Sequence, residues 1–97
     1  MITQLIGKWK TDPDDPSAQA NYGQVTQTFH EDGRLIYIIH SPQKDQVMRL
    51  VYRVDGDVLI TDQPSAPSEH RTTFSFDNRG RLILEDEGER SRFIRVT

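Results

Sequence analysis

The sequence predicts an all-β domain built as an eight-stranded antiparallel up-and-down barrel. Short runs rich in Val, Ile, Phe, Tyr and Thr alternate along the 97 residues with turn signals that contain Gly, Asp and Asn. No long stretch has the period of a helix. With 34 % hydrophobic residues and a net charge of −3, the chain suits one folded domain over residues 1–97 and is too short for two.

Tight turns and longer loops separate the strands. One helical turn is expected near residues 15–20, with Asp15 as N-cap and Pro16 at the first helical position. Tight turns are predicted at 31–33, 55–56, 77–80 and 87–88, each containing Gly. The strands are predicted at 6–11, 22–30, 34–40, 46–54, 57–63, 69–77, 81–86 and 90–96.

The turns also predict which residues face each other across the hairpins. A turn with a Gly bulge at Gly33 and the similar spacing before Gly80 each place a Phe opposite a Leu. A two-residue turn at Asp55-Gly56 sets the register of the middle hairpin. The predicted pairs are Phe29 with Leu35, Tyr52 with Leu59, and Phe76 with Leu82.

Period-two alternation then assigns side chains to an inner and an outer face. The predicted inner face holds Val25, Phe29, Leu35, Tyr37, Ile39, Met48, Leu50, Tyr52, Val54, Leu59, Phe74, Phe76, Leu82, Leu84 and Phe93. The outer face is mostly polar, but it carries an apolar set concentrated on strands three to five: Ile36, Ile38, Val47, Val51, Val58, Ile60 and Ile83. An apolar outer patch favours a partner, here a homodimer through strands three to five.

All five prolines are predicted at one end of the barrel. In up-and-down order, alternate connections fall at opposite ends, so three of the tight turns share one end. The other end receives 12–21, 41–45, 64–68 and 87–88. Binding residues concentrate on long loops carried by a rigid scaffold, so we expect any site at this proline end.

Gly7-Lys8-Trp9, at the start of the first strand, resembles the Gly-x-Trp motif of lipocalins and related calycins. The long first loop followed by a meander of strands is similar to that family too, and the short bacterial lipocalin-like domains are the closer comparison. The resemblance implies a barrel whose first loop caps an open mouth. It also implies a basic residue on the last strand packed across Trp9, for which we choose Arg95, with Arg92 as the alternative. The chain departs from lipocalins in its short length and in lacking the flanking helix and the disulfide.

The barrel interior near the proline end is the candidate site. An apolar cup with a few polar groups at its rim is typical of a small-ligand pocket, and Met would supply an adaptable wall. We therefore expect a non-enzymatic module that binds a small, largely apolar ligand. The candidate ligand-binding residues are Tyr22, Tyr37, Met48, Gln63, His70 and Ser91.

Two alternatives stay open at this point. Eight strands enclose an interior just wide enough for side chains, or for one small ligand. In the first alternative side chains fill the core, and the domain acts through its apolar outer face or a dimer interface. The fold alternative is a half-barrel sheet that dimerisation completes. The closed barrel and the half-barrel use the same alternation of side chains, so the sequence does not separate them.

The sequence carries no motif for a metal, a cofactor or a catalytic triad. The Asp12-Pro-Asp-Asp15 loop lacks the order of a Ca²⁺ loop and suits capping and turns. The three histidines have no metal spacing, although His40 and His70 lie near the proline end, where Asp45 or Glu69 would complete a two-His site. The acidic residues at 85–89 are interpreted as a solvated cluster. An enzyme that uses His70 with a neighbouring carboxylate is the third alternative.

Composition excludes further classes. With 12 basic and 15 acidic residues, well mixed, the chain has no footprint for nucleic acid. No apolar run approaches the length that spans a bilayer, and MITQLIGKW lacks the features of a secretory signal, so we expect no membrane association. The absence of cysteine favours a reducing compartment, and we expect a cytoplasmic protein.

Overall fold

The computed structural model describes residues 3–96 and shows a closed barrel of eight antiparallel strands in up-and-down order. The predicted fold class is confirmed. The half-barrel alternative is wrong, because β8 returns to pair with β1 and leaves no open edge for a dimer to complete. The elements are β1 (Gly7–Thr11), α1 (Pro16–Tyr22), β2 (Val25–Phe29), β3 (Arg34–Ile39), β4 (Gln46–Asp55), β5 (Val58–Asp62), β6 (His70–Phe76), β7 (Leu82–Asp86) and β8 (Glu89–Arg95).

The first loop contains the expected helix, α1, which is longer than one turn. The Asp15 side chain caps it by accepting a hydrogen bond from the Ser17 backbone N–H, and Pro16 occupies the first turn, as predicted. Gly23 ends the helix at a φ of +68°, a conformation that only glycine adopts readily. The predicted start of the second strand at residue 22 is therefore wrong: Tyr22 belongs to the helix, and β2 begins at Val25.

Two of the three predicted hairpin registers are confirmed: Phe29 faces Leu35 and Phe76 faces Leu82. The third is wrong, because Tyr52 faces Thr61 and not Leu59. The two turn residues are Gly56 and Asp57, with Gly56 at a φ of +62° in the first central position, where a type II′ turn requires it. The observed partner of Tyr52 is two residues away from the predicted one. Because side chains alternate with a period of two, every side chain keeps its predicted face.

Trp9 closes the end of the barrel opposite the prolines. Its ring is fully buried and packs on Phe76 with centroids 5.9 Å apart, and its indole N–H donates to the Leu5 carbonyl at 3.0 Å. The Arg95 guanidinium lies 4.3 Å from the centre of the Trp9 ring and donates to backbone carbonyls of the chain preceding β1. The predicted contact between Arg95 and Trp9 is thus present, and Arg92 points to the outer face instead.

Part of the predicted outer apolar set is covered. Ile60 faces outward between Arg53 and Arg71 but is only 2 % exposed. Glu69 bridges both arginines, which holds their aliphatic stems over Ile60. Ile83 is 5 % exposed beside Arg92, near the start of α1. The expectation that these two isoleucines belong to an exposed patch is therefore wrong.

A polar network fastens the first loop to β8. The Asp12 carboxylate accepts a hydrogen bond from the Arg92 side chain at 2.6 Å, and the Asp15 carboxylate accepts one from the Arg92 backbone N–H at 2.8 Å. The Ser17 hydroxyl donates to the Arg90 carbonyl at 2.7 Å. Burial alone would raise the pKa of Asp12, but hydrogen bonds from the Asp14 N–H and Arg92 outweigh it and hold that pKa below its usual value.

Asp12→Asn is expected to destabilise the fold by about 2 kcal/mol at pH 7, because it removes a hydrogen-bonded carboxylate facing Arg92. The lowered pKa means that this stabilisation is present above the ordinary pKa of 3.8 and is lost as the pH falls through the folded-state pKa. Urea unfolding at a series of pH values should show the gap between wild type and variant narrowing towards low pH. Asp14→Asn is the control, since the Asp14 side chain is exposed; an equal loss in both variants would contradict the assignment.

Candidate functional site

The barrel interior is open at the proline end. A cavity of about 530 Å³ enters there and reaches the middle of the barrel. Its floor is apolar and consists of four leucines, Leu35, Leu50, Leu59 and Leu84. Polar side chains form its wall and rim. The lining is therefore mixed, with an apolar floor beneath a wall and rim on which every side chain carries a polar group.

The cavity exists because inward-facing side chains become smaller towards the mouth. On β5, the inward-facing residue next to Leu59 in the direction of the mouth is Thr61. On β8, the inward-facing residue next to Phe93 in that direction is Ser91. On β6 the inward residues go from Phe74 to Thr72 in the same direction. The closed half is therefore filled by large side chains, and the open half is lined by small ones.

Four of the six predicted ligand-binding residues line this cavity: Tyr22, Tyr37, His70 and Ser91. Met48 and Gln63 do not, and line a separate shallow groove on the barrel wall with Pro64 and Ser65. The reason is a gap in the sheet. The last pair between β4 and β5 is Val51 with Asp62, so residues before Val51 pair only with β3. Met48 and Gln63 lie beside that gap, where the 64–68 loop leaves the barrel.

The sequence does not predict some of the residues that line the cavity. Gln27 was omitted, although alternation between Val25 and Phe29 already places it on the inner face. Asp86, Glu87 and Glu89 belong to the acidic cluster that the sequence predicts to be solvated; they lie at the mouth of the cavity, where Glu87 and Glu89 are exposed. Asp86 and Glu89 face each other across the last turn, one residue to either side of it. The tight turn predicted at 87–88 is the sequence signal that places these residues in the lining, because both strands that it joins end at the mouth.

Gln27 is the unusual polar group of the cavity wall. It is only 3 % exposed, and its side-chain amide nitrogen has no hydrogen-bond partner in the part of the chain that the structure describes. Leaving a buried amide donor unpaired costs about 1–3 kcal/mol. The nitrogen itself has essentially no accessible surface, so neither solvent nor a molecule in the cavity reaches it in this geometry.

The rim of the cavity is acidic. His70 lies against Asp86, with 2.7 Å between Nε2 and the nearer carboxylate oxygen. Asn21 donates to Glu89 at 3.5 Å, and Glu87 sits in the last turn at a φ of +51°, an uncommon conformation for a residue other than glycine. The lining residues include three carboxylates, one imidazole and no Lys or Arg. The cavity therefore carries net negative charge.

Two tyrosines add neutral polar groups. Burial raises the pKa of Tyr37 to about 12, with a smaller contribution from Tyr22. Burial also raises the pKa of Tyr22, and the nearby Asp86 carboxylate raises it further. Both phenols therefore keep their proton at neutral pH and stay available as hydrogen-bond donors. Tyr22 is held in place by an edge-on contact with Phe93, with ring centroids 5.0 Å apart.

The other histidine cluster lies on the outside of the barrel. The His40 Nε2 forms a hydrogen bond of 2.6 Å with the Thr26 hydroxyl. The His40 Nδ1 lies 3.2 Å from a carboxylate oxygen of Asp45. Neither His40 nor its partners line the cavity, so His40 and His70 do not share a site. Within residues 3–96, no group of three or more His, Cys, Asp or Glu side chains is placed to hold a metal ion.

Comparison with protein-family models, with curated proteins and with solved structures found no match to this chain. Among the described residues, no helix is long and apolar enough to cross a membrane.

Gln27→Met is expected to stabilise the unliganded protein by about 1 kcal/mol, because it replaces an unpaired buried amide with an apolar group of similar shape. Urea unfolding of the purified protein measures the change. Gln43→Met, in the exposed loop between β3 and β4, is the control and should leave the midpoint unchanged. A lower midpoint for Gln27→Met would show that the amide already has a partner.

Proposed function

We propose that this protein is a non-enzymatic binding module that holds one small, largely apolar molecule inside the barrel. The observation that carries the proposal is the cavity of about 530 Å³, open at one end and floored by leucines. Its volume lies in the range of sites that bury most of a small ligand. Burial of apolar ligand surface on this floor supplies the main favourable free energy, at roughly 25 cal/mol per Å².

The resemblance to lipocalins supports the same proposal. The barrel is closed, the first loop carries α1 beside the mouth, and Arg95 packs across Trp9. These features agree with the arrangement that the Gly7-Lys8-Trp9 motif implies. We therefore propose a lipocalin-like domain in which the proline end is the entrance for the ligand.

The rim residues support binding better than catalysis. His70 is 58 % exposed and its partner Asp86 is 34 % exposed, which is the setting of a solvated ion pair. A positioned general base works best where water is kept away from it and a reacting group is held within hydrogen-bond reach. We propose that His70 and Asp86 contribute to the shape and charge of the entrance and perform no chemical step.

Leu50→Trp is expected to abolish binding of a neutral fluorescent probe, N-phenyl-1-naphthylamine, because the indole fills the cavity floor. Val51→Trp is the matched control, since Val51 is the next residue on β4 and faces outward, 42 % exposed. Probe emission measures binding, and thermal unfolding confirms that each variant is folded. Thr61→Phe serves as a second cavity-filling variant if the first is too unstable to use.

The wild type should bind the probe saturably with one site per chain, and the outer variant should bind alike. Absence of saturable binding by the wild type would overturn the proposal. So would a folded Leu50→Trp or Thr61→Phe protein that binds as the wild type does.

The outer face supports a second candidate, an interaction domain that works through β3 to β5. Val47 and Val51 are 52 % and 42 % exposed on the outer side of β4. Burial of Ile60 reduces this patch, which is why the cavity is the leading candidate. On this second candidate the wild type is a dimer in sedimentation equilibrium, and Val47→Lys and Val51→Lys dissociate it. A monomer at every concentration contradicts it.

A further inference from the structure

The wall of the barrel has a gap beside the first half of β4. From Val51 onwards β4 pairs with β5, but residues 46–50 pair only with β3. A groove of about 360 Å³ lies along this stretch, between β4 and residues 63–65; we call it the β4 groove. We propose that the β4 groove binds an acidic segment of a partner protein, which adds to β4 as an extended strand.

The gap is a consequence of the proline at position 64. Continuing the register of β4 and β5 by two residues beyond its last pair places Pro64 opposite Arg49. Proline has no backbone N–H and cannot donate to a ladder. Pro64 instead begins a turn that is closed by a hydrogen bond from the Ala66 N–H to the Gln63 carbonyl, and this turn leads the chain away from β4.

The backbone of β4 keeps unpaired hydrogen-bonding groups on the side of the groove. The Tyr52 N–H donates to the Gly33 carbonyl, towards β3. Because these groups alternate along an antiparallel strand, the N–H and C=O groups of Val47 and Arg49 face away from β3. Within residues 3–96 they have no hydrogen-bond partner. An extended segment along β4 would bond to both residues, which is how peptides add to an unpaired strand.

The exposed side chains of the same two residues specify the composition of the segment. Val47 is 52 % exposed and offers an apolar contact. Arg49 is exposed and forms no ion pair in the described part of the chain. The neighbouring carboxylates already have partners: Asp45 lies against His40, and Asp62 accepts a backbone hydrogen bond. The β4 groove therefore favours an acidic residue opposite Arg49, two positions from an apolar residue opposite Val47.

A second copy of this chain fits the β4 groove less well than a separate segment does. The groove is bounded by residues 63–65 of its own chain, so in a pair of two β4 strands the loop of each copy would meet the other copy. A pair centred on Arg49 would also set two arginines opposite each other, which is unfavourable. An acidic extended segment meets neither obstacle.

The test titrates the isotope-labelled 97-residue chain with the acetylated and amidated peptide Ser-Thr-Glu-Thr-Val-Thr-Ser at low salt. Amide NMR spectra should show saturable binding, with the largest shift changes at Val47 and Arg49. Replacing the peptide Glu with Lys should weaken binding about tenfold. Methylating the backbone nitrogens of the peptide Glu and Val should abolish binding, because these N–H groups face β4. Methylating the two Thr nitrogens that flank the Val is the matched control and should leave binding intact.

Variants of the protein assign the charge preference to one residue. Arg49→Glu should reverse it, so that the Lys peptide binds more tightly than the Glu peptide, and Arg49→Gln should remove it. Arg79→Glu makes the same charge change as Arg49→Glu at an exposed residue of the turn between β6 and β7, and it should keep the preference of the wild type. Thermal unfolding confirms that each variant is folded.

Several results would overturn this proposal. One is the absence of saturable binding of the Glu peptide, and another is undiminished binding of the peptide methylated at Glu and Val. Equal affinity for the Glu and Lys peptides, or a preference that survives in both Arg49 variants, would overturn the acidic class. The same shift changes on concentrating the protein without peptide would identify a second copy as the occupant instead. Binding of the naphthylamine probe inside the barrel is independent of all these results.

Discussion

The seam between β1 and β8 is the constraint on which the rest of the structure depends. Only three residue pairs join these strands, fewer than at any other strand pair of the barrel. Each end of the seam is reinforced by side chains. At the closed end Arg95 lies over Trp9, and at the open end the Asp12 N–H donates to the Arg92 carbonyl while Asp15 accepts from the Arg92 N–H. The ladder is thus extended by loop and cap residues after β1 has ended.

The same reinforcement builds one side of the cavity. Because Asp15 and Ser17 bond to the part of β8 that extends beyond β1, α1 is fixed beside the mouth and carries Asn21 and Tyr22 to the rim. A helix of seven residues would not be stable alone in water, so its conformation depends on these contacts and on the packing of Tyr22 against Phe93. The contacts that extend the seam between β1 and β8 therefore also position one side of the entrance.

The sequence predicted the strand order, the inner face and the open end, because alternation and Gly-containing turns are local signals. It predicted the helix cap at Asp15 for the same reason. It did not predict that Tyr52 faces Thr61, since a two-residue turn at 55–56 or at 56–57 satisfies the same Asp-Gly-Asp segment. Nor did it predict the burial of Ile60, which depends on Glu69 joining two arginines from different strands. Such contacts arise only when the strands are in place.

The short chain first argues against a cavity, because eight short strands enclose little more than their own side chains. The barrel nevertheless contains a cavity, because its inward-facing residues near the mouth are small and not because its strands are long. Thr61, Thr72 and Ser91 take positions that larger residues fill one layer below, and the space they leave is the cavity. Small side chains at the mouth bring a polar lining with them, since Ser and Thr are the small residues that β-strands accept well next to water. The opening and its polar lining therefore have the same origin in the sequence.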